Sequence, residues 1–218
     1  MMQDSKSLSQ GRHCPVVALI GGVGAGKSFV ARLIQSECRA RIIDADRIGH
    51  ELLLDPEVIS PLTEAFGRQI LGPNGQIDRA ILAREVFGEE TGAEERRHRL
   101  ESIVHPRIRL RIEQLLAAGK ADPDCDLIVL DAPVLLEVGW RELADSVVFV
   151  DATQGQRENQ VRFSRGWSPD RLKQREASQW TLERKRSTAD YILDNTRGAE
   201  FTRTQVRKLL EQLIPVKG

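Results

Sequence analysis

A glycine-rich run closed by a lysine and a serine is the part of the sequence whose residue types and spacing most clearly predict chemistry. Gly21-Gly22-Val23-Gly24-Ala25-Gly26-Lys27-Ser28 matches the pattern GxxxxGK[ST]. Glycines allow a backbone to turn its N–H groups inward around phosphate groups. We expect this run, together with the following Phe29, to bind a nucleotide, with Lys27 reaching the β- and γ-phosphates and Ser28 binding Mg²⁺. The alternative, a turn that merely reverses the chain, is disfavoured by the length of the match.

Three aspartates are candidates for proton transfer and metal support. Asp44 and Asp46 follow a short apolar run, and one of them can orient an acceptor hydroxyl and take its proton while the other holds a water on Mg²⁺. The alternative is that one of the two caps a helix that begins near Arg47. Asp131 follows four apolar residues, which is typical of an acid that supports the metal through water, although aspartates are also common in turns.

Cations are concentrated near the C-terminal third of the chain. The segment 157–188 contains nine Arg and Lys residues against four Asp and Glu residues. A solvated helix face and a cationic flap over a triphosphate are both compatible with this composition. Arg165 precedes a turn at Gly166, where an arginine can swing onto a γ-phosphate. Earlier in the chain, Arg79 can bind a substrate phosphate or pair with a surface acid, and a lone histidine such as His105 is most often structural.

Alternating strands and helices must position these residues. Continuous apolar runs of strand length predict strands at Val16–Ile20, 41–43, 126–131, 146–151 and 191–193. Helical periodicity dominates between about 50 and 120 and between about 155 and 188, where Ser168 and Pro169 form a helix start signal, and a closing helix spans 200–214. This order predicts an α/β fold with a parallel sheet covered on both faces.

Size and composition exclude several classes of protein. The chain has 218 residues, a formal net charge of zero and a hydrophobic share of 40%, which indicate a folded protein without a basic field for nucleic acid or for an anionic membrane. No apolar run approaches the roughly 18–20 residues of a spanning helix, and the polar N-terminus is unlike a secretory signal. Three cysteines without a CxxC pair favour a reducing cytoplasm. Monomer, dimer and trimer all fit this size and charge.

In sequence order, several further motifs resemble the dephospho-CoA kinase family. The glycine-rich run and Ile43-Asp44-Ala45-Asp46 are followed by 75–79, Val104-His105-Pro106, 131–137 and a late group that comprises Gln179, 184–186, Ala189-Asp190 and 192–195. The resemblance covers roughly residues 16 to 214. It implies transfer of the ATP γ-phosphoryl group to the ribose 3′-hydroxyl of dephospho-CoA, the final step of coenzyme A biosynthesis. It also implies that Asp46 is the base and that Arg79 and His105 lie in the region that holds the acceptor.

The family match implies a P-loop NTPase-like fold with a five-stranded parallel sheet. We divide the chain into a flexible tail at 1–14 and a single domain at 15–215. Within that domain, 15–48, 122–155 and 189–215 form the core, 49–121 is a helical substrate region and 156–188 is a helical lid. Two departures from the family pattern stand out: Phe29 replaces the usual threonine, and Val161 stands where the family has an arginine.

Other nucleotide-dependent proteins remain alternatives. A different P-loop kinase, acting on a nucleoside, a nucleotide or a small alcohol, would share the glycine-rich run. A nucleotide-dependent switch protein is less favoured, because the late segment Asn195-Thr196-Arg197-Gly198 lacks the lysine and the aspartate of a guanine-reading element.

Overall fold

A computed structural model describes residues 14–87 and 92–214 of the chain. Nearly all of the predicted flexible tail lies outside these residues, whereas Cys14 is buried. The strands are β1 (Val16–Ile20), β2 (Ala40–Asp44), β3 (Leu127–Asp131), β4 (Ser146–Asp151) and β5 (Tyr191–Asp194). Each begins and ends within one residue of the predicted bounds.

The strands form one parallel sheet in the order β2-β3-β1-β4-β5. The predicted α/β fold with a five-stranded parallel sheet is therefore confirmed. All residues of β1 and β3 are buried, as expected for central strands that are covered on both faces. In the register, Asp131 lies beside Leu19 on one side and beside Asp44 on the other. The carboxyl ends of β1, β2 and β3 thus meet at one edge of the sheet.

Helices connect the strands, and one more follows the last strand. Their bounds are α1 (Lys27–Glu37), α2 (Ala45–Leu52), α3 (Pro56–Phe66), α4 (Arg79–Phe87), α5 (Ala93–Ala121), α6 (Gln154–Arg165), α7 (Pro169–Ala177), α8 (Leu182–Ser187) and α9 (Ala199–Leu213). The predicted start signal is present at α7, where the Ser168 side chain accepts a hydrogen bond from the Arg171 N–H.

Alternate residues of β1 pack on opposite faces of the sheet, as the two-residue period of a strand requires. Val16, Ala18 and Ile20 pack with α2 and α5 residues, whereas Val17 and Leu19 pack with α1 and α9 residues. A third apolar cluster joins α3, α4 and the first half of α5. No helix among the described residues is long and apolar enough to cross a membrane. The helices between β2 and β3, residues 45–121, thus form a helical unit directly after the second strand.

Candidate active site

The loop between β1 and α1, residues 21–26, is the centre of the candidate site, and we call it the phosphate loop. Gly24 and Gly26 have φ angles of 77° and 92°, a region that side chains rarely adopt. A Cβ atom at Gly24 would lie 2.7 Å from the Arg157 carbonyl oxygen, so glycine is also required for space. Gly26 caps α1 without a side-chain hydrogen bond. The first turn of α1 therefore has no side-chain acceptor, and helix N-termini of this kind bind anions.

The Lys27 side chain folds back over the phosphate loop. Its ammonium group donates hydrogen bonds to the carbonyl oxygens of Gly21, at 3.2 Å, and Gly22, at 3.0 Å. Burial lowers the pKa of Lys27 to about 8. The ammonium group of Lys185 and the guanidinium group of Arg165 also lower it, whereas the carboxylates of Asp131 and Asp46 raise it. A buried ammonium of lowered pKa gains stability when an anion approaches it.

Asp131 lies at the end of β3, opposite Ser28. The Ser28 hydroxyl is 3.4 Å from one carboxylate oxygen of Asp131, and the other oxygen, Oδ1, is buried without a hydrogen-bond partner among the described residues. Burial raises the pKa of Asp131, with a further contribution from Asp44 and Asp46. A buried, unpartnered oxygen beside a serine hydroxyl fits a hydrated Mg²⁺, which commonly takes one or two carboxylates and the phosphate oxygens of the substrate.

The structure gives Asp44 and Asp46 different roles. Asp44 is the N-cap of α2, because its Oδ1 atom accepts a 2.9 Å hydrogen bond from the Arg47 N–H. Asp46 lies in the first turn of α2 and is exposed. Its charge acts on both Lys27 and Asp131, so its carboxylate belongs to the same electrostatic site as the phosphate loop. Of the two aspartates, Asp46 is thus the exposed one that does not cap α2.

The two predicted acceptor-binding residues lie in different surroundings. Arg79 begins α4, and its guanidinium Nη2 atom is 2.7 Å from Nε2 of His50, one turn after Asp46 on α2. His105 lies in the middle of α5 and makes an edge-to-face contact with Trp140, with ring centroids 5.7 Å apart. Burial lowers the pKa of His105. His105 and Trp140 line an open cavity of about 470 Å³, together with residues that include His98, Glu101 and Arg109.

Helices α6 and α7 pack onto the phosphate loop through both apolar and charged contacts. Val23 forms a small apolar cluster with Val161 and Leu172. The Arg157 side chain lies directly over Gly22, where a Cβ atom would be 2.7 Å from its Cδ atom. Arg157 also pairs with Glu176 at 3.1 Å. Val161, which stands where an arginine was expected, thus contributes packing.

Two further residues of the predicted site, Arg165 and Phe29, lie in different surroundings. Arg165 is exposed, with its guanidinium 5.0 Å from the Trp167 ring, and its charge is felt at Lys27. The Phe29 side chain packs against the apolar cluster between α1 and α9, and its N–H donates to the Gly26 carbonyl oxygen at 2.9 Å. Its side chain is therefore partly buried against the core.

Three residues of the site were not singled out from the sequence. Asn195 donates a 3.0 Å hydrogen bond to the Ala25 carbonyl oxygen and so braces the phosphate loop from the end of β5. Arg157 and Lys185 are buried, although both belong to a segment of mostly exposed cations. Charge alone does not distinguish a buried cation from its exposed neighbours. For Asn195, its position directly after the last parallel strand was a usable signal.

Fold and site together place the chain among the P-loop kinases, which pass a phosphoryl group from a nucleotide to an acceptor. Comparisons with known proteins identify the family within this class. Residues 15–200 match the family model described as dephospho-CoA kinase. The chain therefore belongs to the dephospho-CoA kinase family, and it is a kinase.

Individual relatives agree with this assignment. A dephospho-CoA kinase from Carboxydothermus hydrogenoformans is 36% identical over 91% of this chain and 94% of its own length. One from Thermobifida fusca is 35% identical over 90% and 95%. Among solved structures, TT1252 from Thermus thermophilus matches with a TM-score of 0.78 and 29% identity, covering 94% of this chain and all of that protein. A dephospho-CoA kinase from Campylobacter jejuni, at 20% identity and a TM-score of 0.60, shares the fold.

Proposed function

We propose that this kinase transfers the γ-phosphoryl group of ATP to the ribose 3′-hydroxyl of dephospho-CoA, giving coenzyme A and ADP in the final step of coenzyme A biosynthesis. The observation that carries the proposal is the position of Asp46. Its carboxylate acts electrostatically on the phosphate-loop lysine and on Asp131, and it remains exposed while Asp44 is engaged as a helix cap. An acceptor hydroxyl bound at Asp46 would therefore meet the end of a triphosphate bound at the loop.

On the donor side, the phosphate loop and the first turn of α1 bind the triphosphate through backbone N–H groups. Lys27 exchanges its two carbonyl partners for β- and γ-phosphate oxygens. Ser28 and Asp131 are the residues that would hold Mg²⁺, which when bound neutralises charge on the β- and γ-phosphates. A triphosphate also supplies the negative charge that favours the protonated form of Lys27.

On the acceptor side, Asp46 orients the 3′-hydroxyl and accepts its proton as the new oxygen–phosphorus bond forms and ADP leaves. Dephospho-CoA carries a diphosphate, for which a guanidinium is a good partner because it can donate two parallel hydrogen bonds. Arg79 offers such a guanidinium, because it contacts His50, which lies one helical turn after Asp46 on α2. We assign the helical region 49–121 to acceptor binding, with His105 on α5, the last helix of that region.

The segment 156–188 acts as a lid in this mechanism. Its first helix packs on the phosphate loop through Val161 of the Val23 cluster, and Arg165 is exposed one turn later, at the C-terminal end of that helix. Movement of Arg165 toward the γ-phosphate would place positive charge where negative charge develops during the transfer. It would also exclude water, which competes as a phosphoryl acceptor. The three free thiols fit a reducing cytoplasm.

A panel of acceptors tests the proposal. ADP release, coupled to a spectrophotometric readout, is measured with dephospho-CoA, with nucleosides and nucleotides, with shikimate-like alcohols and without an acceptor. Of the acceptors in the panel, we expect only dephospho-CoA to give turnover with ATP. The product should carry the new phosphate at the 3′ position. Turnover with another acceptor would assign a different kinase activity, and ADP release without any acceptor would favour a switch protein.

A substitution at Arg79 tests the acceptor site. Arg79→Met should raise the KM for dephospho-CoA by about tenfold or more and change the KM for ATP little, because a charge-assisted contact to the acceptor is lost. Steady-state kinetics with each substrate varied in turn measures both values.

The matched control for Arg79→Met is Arg84→Met, at an exposed position later on the same helix. Its kinetics should equal those of the unsubstituted protein. Equal acceptor KM values for the two variants would remove Arg79 from the acceptor site.

A further inference from the structure

Lys185 is the most deeply buried charged residue of the described chain that the proposed mechanism does not use. It lies on α8 and is 1% exposed. Its ammonium group donates hydrogen bonds to the carbonyl oxygen of Pro133 and to Oε1 of Gln179, both at 2.9 Å. It also forms an ion pair with Glu137, at 2.9 Å. Three acceptors thus match the three protons of the ammonium group.

Glu137 completes this group, which we call the Lys185 cluster (Lys185, Glu137, Pro133, Gln179 and Trp180). The same Glu137 oxygen that pairs with Lys185 accepts a 2.9 Å hydrogen bond from the Trp180 N–H. The other oxygen is buried without a partner among the described residues. A buried ion pair adds little stability over well-packed apolar residues of the same volume. Stability alone therefore does not account for charge at this place.

The cluster joins two parts of the proposed active site. Pro133 and Glu137 lie in the turn that leaves β3, directly after Asp131. Gln179 and Trp180 lie in the connection between α7 and α8, at the end of the lid segment that returns to the core. Lys185 bonds to both, so it links the turn that follows Asp131 to the lid segment. Lys185 is also close enough to Lys27 for the two positive charges to repel each other.

We infer that Lys185 is a positioning residue for phosphoryl transfer, holding the turn that carries Asp131 in register with the base of the lid through Pro133, Glu137 and Gln179. This inference rests on the proposed kinase mechanism. Lys185 touches no substrate, because it is enclosed on all sides. Its contribution is geometric, and displacements of about 1 Å near a reacting group cost about a hundredfold in rate.

The test removes the charges of the cluster as a pair. In Lys185→Met/Glu137→Gln, no unpaired charge is left behind, and the glutamine oxygen still accepts the Trp180 N–H. We expect a melting temperature close to that of the unsubstituted protein, KM values for ATP and for the acceptor within about threefold, and a kcat about 10- to 100-fold lower. A folded double variant whose kcat is within threefold of normal would overturn the inference.

A second variant keeps the test decisive if the double variant does not fold. Lys185→Arg retains the positive charge that pairs with Glu137. The N–H donors of a guanidinium lie in one plane, so they no longer match the three acceptors that surround the ammonium group of Lys185. We expect kcat to fall about tenfold with little change in either KM. Normal kcat in this variant would count against positioning by Lys185.

Two comparisons separate this inference from the proposed function. Lys208→Met makes the same substitution at an exposed position on α9 and should leave kcat unchanged. The activity of the unsubstituted protein with dephospho-CoA decides the proposed function. The ratio of variant to unsubstituted kcat decides the inference, and it is measured with whichever acceptor of the panel gives turnover.

Discussion

Replacing Lys27 with alanine should lower kcat by about 10²- to 10³-fold, which is the size of effect seen when one preorganised donor to a developing negative charge is removed. Lys27 is buried directly behind the phosphate loop and bonds to two of its carbonyl oxygens. The other buried ammonium nearby, that of Lys185, is already engaged by three acceptors. Arg157, the other buried cation that contacts the loop, is paired with Glu176 at 3.1 Å. Initial-rate ADP release at saturating ATP and acceptor measures the effect.

Arg32→Ala is the control for Lys27→Ala. It removes an exposed cation from the same helix, so kcat should stay within about twofold of normal. The stabilisation that ATP gives against thermal unfolding should also be smaller for Lys27→Ala than for Arg32→Ala, since a ligand at a given concentration stabilises a protein less when its affinity is lower. A Lys27→Ala protein with a normal kcat would show that the phosphate loop does not carry the transfer.

Much of the fold could be predicted because its signals are local. Each strand is a short apolar run, and a central parallel strand needs little more than apolar residues on both faces. The phosphate loop is likewise encoded in consecutive residues, since the glycines at 24 and 26 permit backbone angles that other residues rarely adopt. The assignment of Lys27 and Ser28 to phosphate and metal remains a prediction that the variants test.

Residue type and position alone left the roles of Asp44 and Asp46 open, because aspartate is both a good helix cap and a good base. Only the family resemblance favoured Asp46 as the base. It depends on where α2 begins, and a shift of two residues would exchange the two roles. The structure places the first turn so that Asp44 receives the Arg47 N–H. Helix boundaries are among the features that sequence predicts least well.

The contacts of the charged C-terminal helices were also beyond sequence reasoning. Lys185 meets Pro133 across 52 positions of the chain, and Arg157 meets Glu176 across 19. Arg157 and Lys185 are buried because of how α6, α7 and α8 pack on the phosphate loop and on the turn after β3. Helical periodicity gives no information on such long-range contacts, so it could not show which of the nine cations would be buried. Arg165, which the sequence favoured because of the turn at Gly166, is exposed.

Asp46→Asn should leave ATP binding intact and lower kcat by about 10²- to 10⁴-fold, the range expected when a general base is removed. Asparagine keeps the size of the side chain and its ability to accept a hydrogen bond, but it does not take a proton at neutral pH. Because Asp46 is exposed and does not cap α2, its replacement should not disturb the fold. The measurements are kcat with dephospho-CoA and the dissociation constant for ATP.

Asp44→Asn provides the matched control for Asp46→Asn, since the same substitution is made two residues earlier on the same helix start. Asparagine caps helices as well as aspartate, so α2 should keep its N-terminus and its hydrogen bond to Arg47. We expect kcat within about threefold of normal for Asp44→Asn. If Asp46→Asn instead retained near-normal turnover while Asp44→Asn lost it, the proton acceptor would be the capping residue, and the orientation of α2 toward the acceptor would have to differ from the one described. If both variants were active, neither carboxylate would serve as the base, and positioning and charge stabilisation alone would account for the rate.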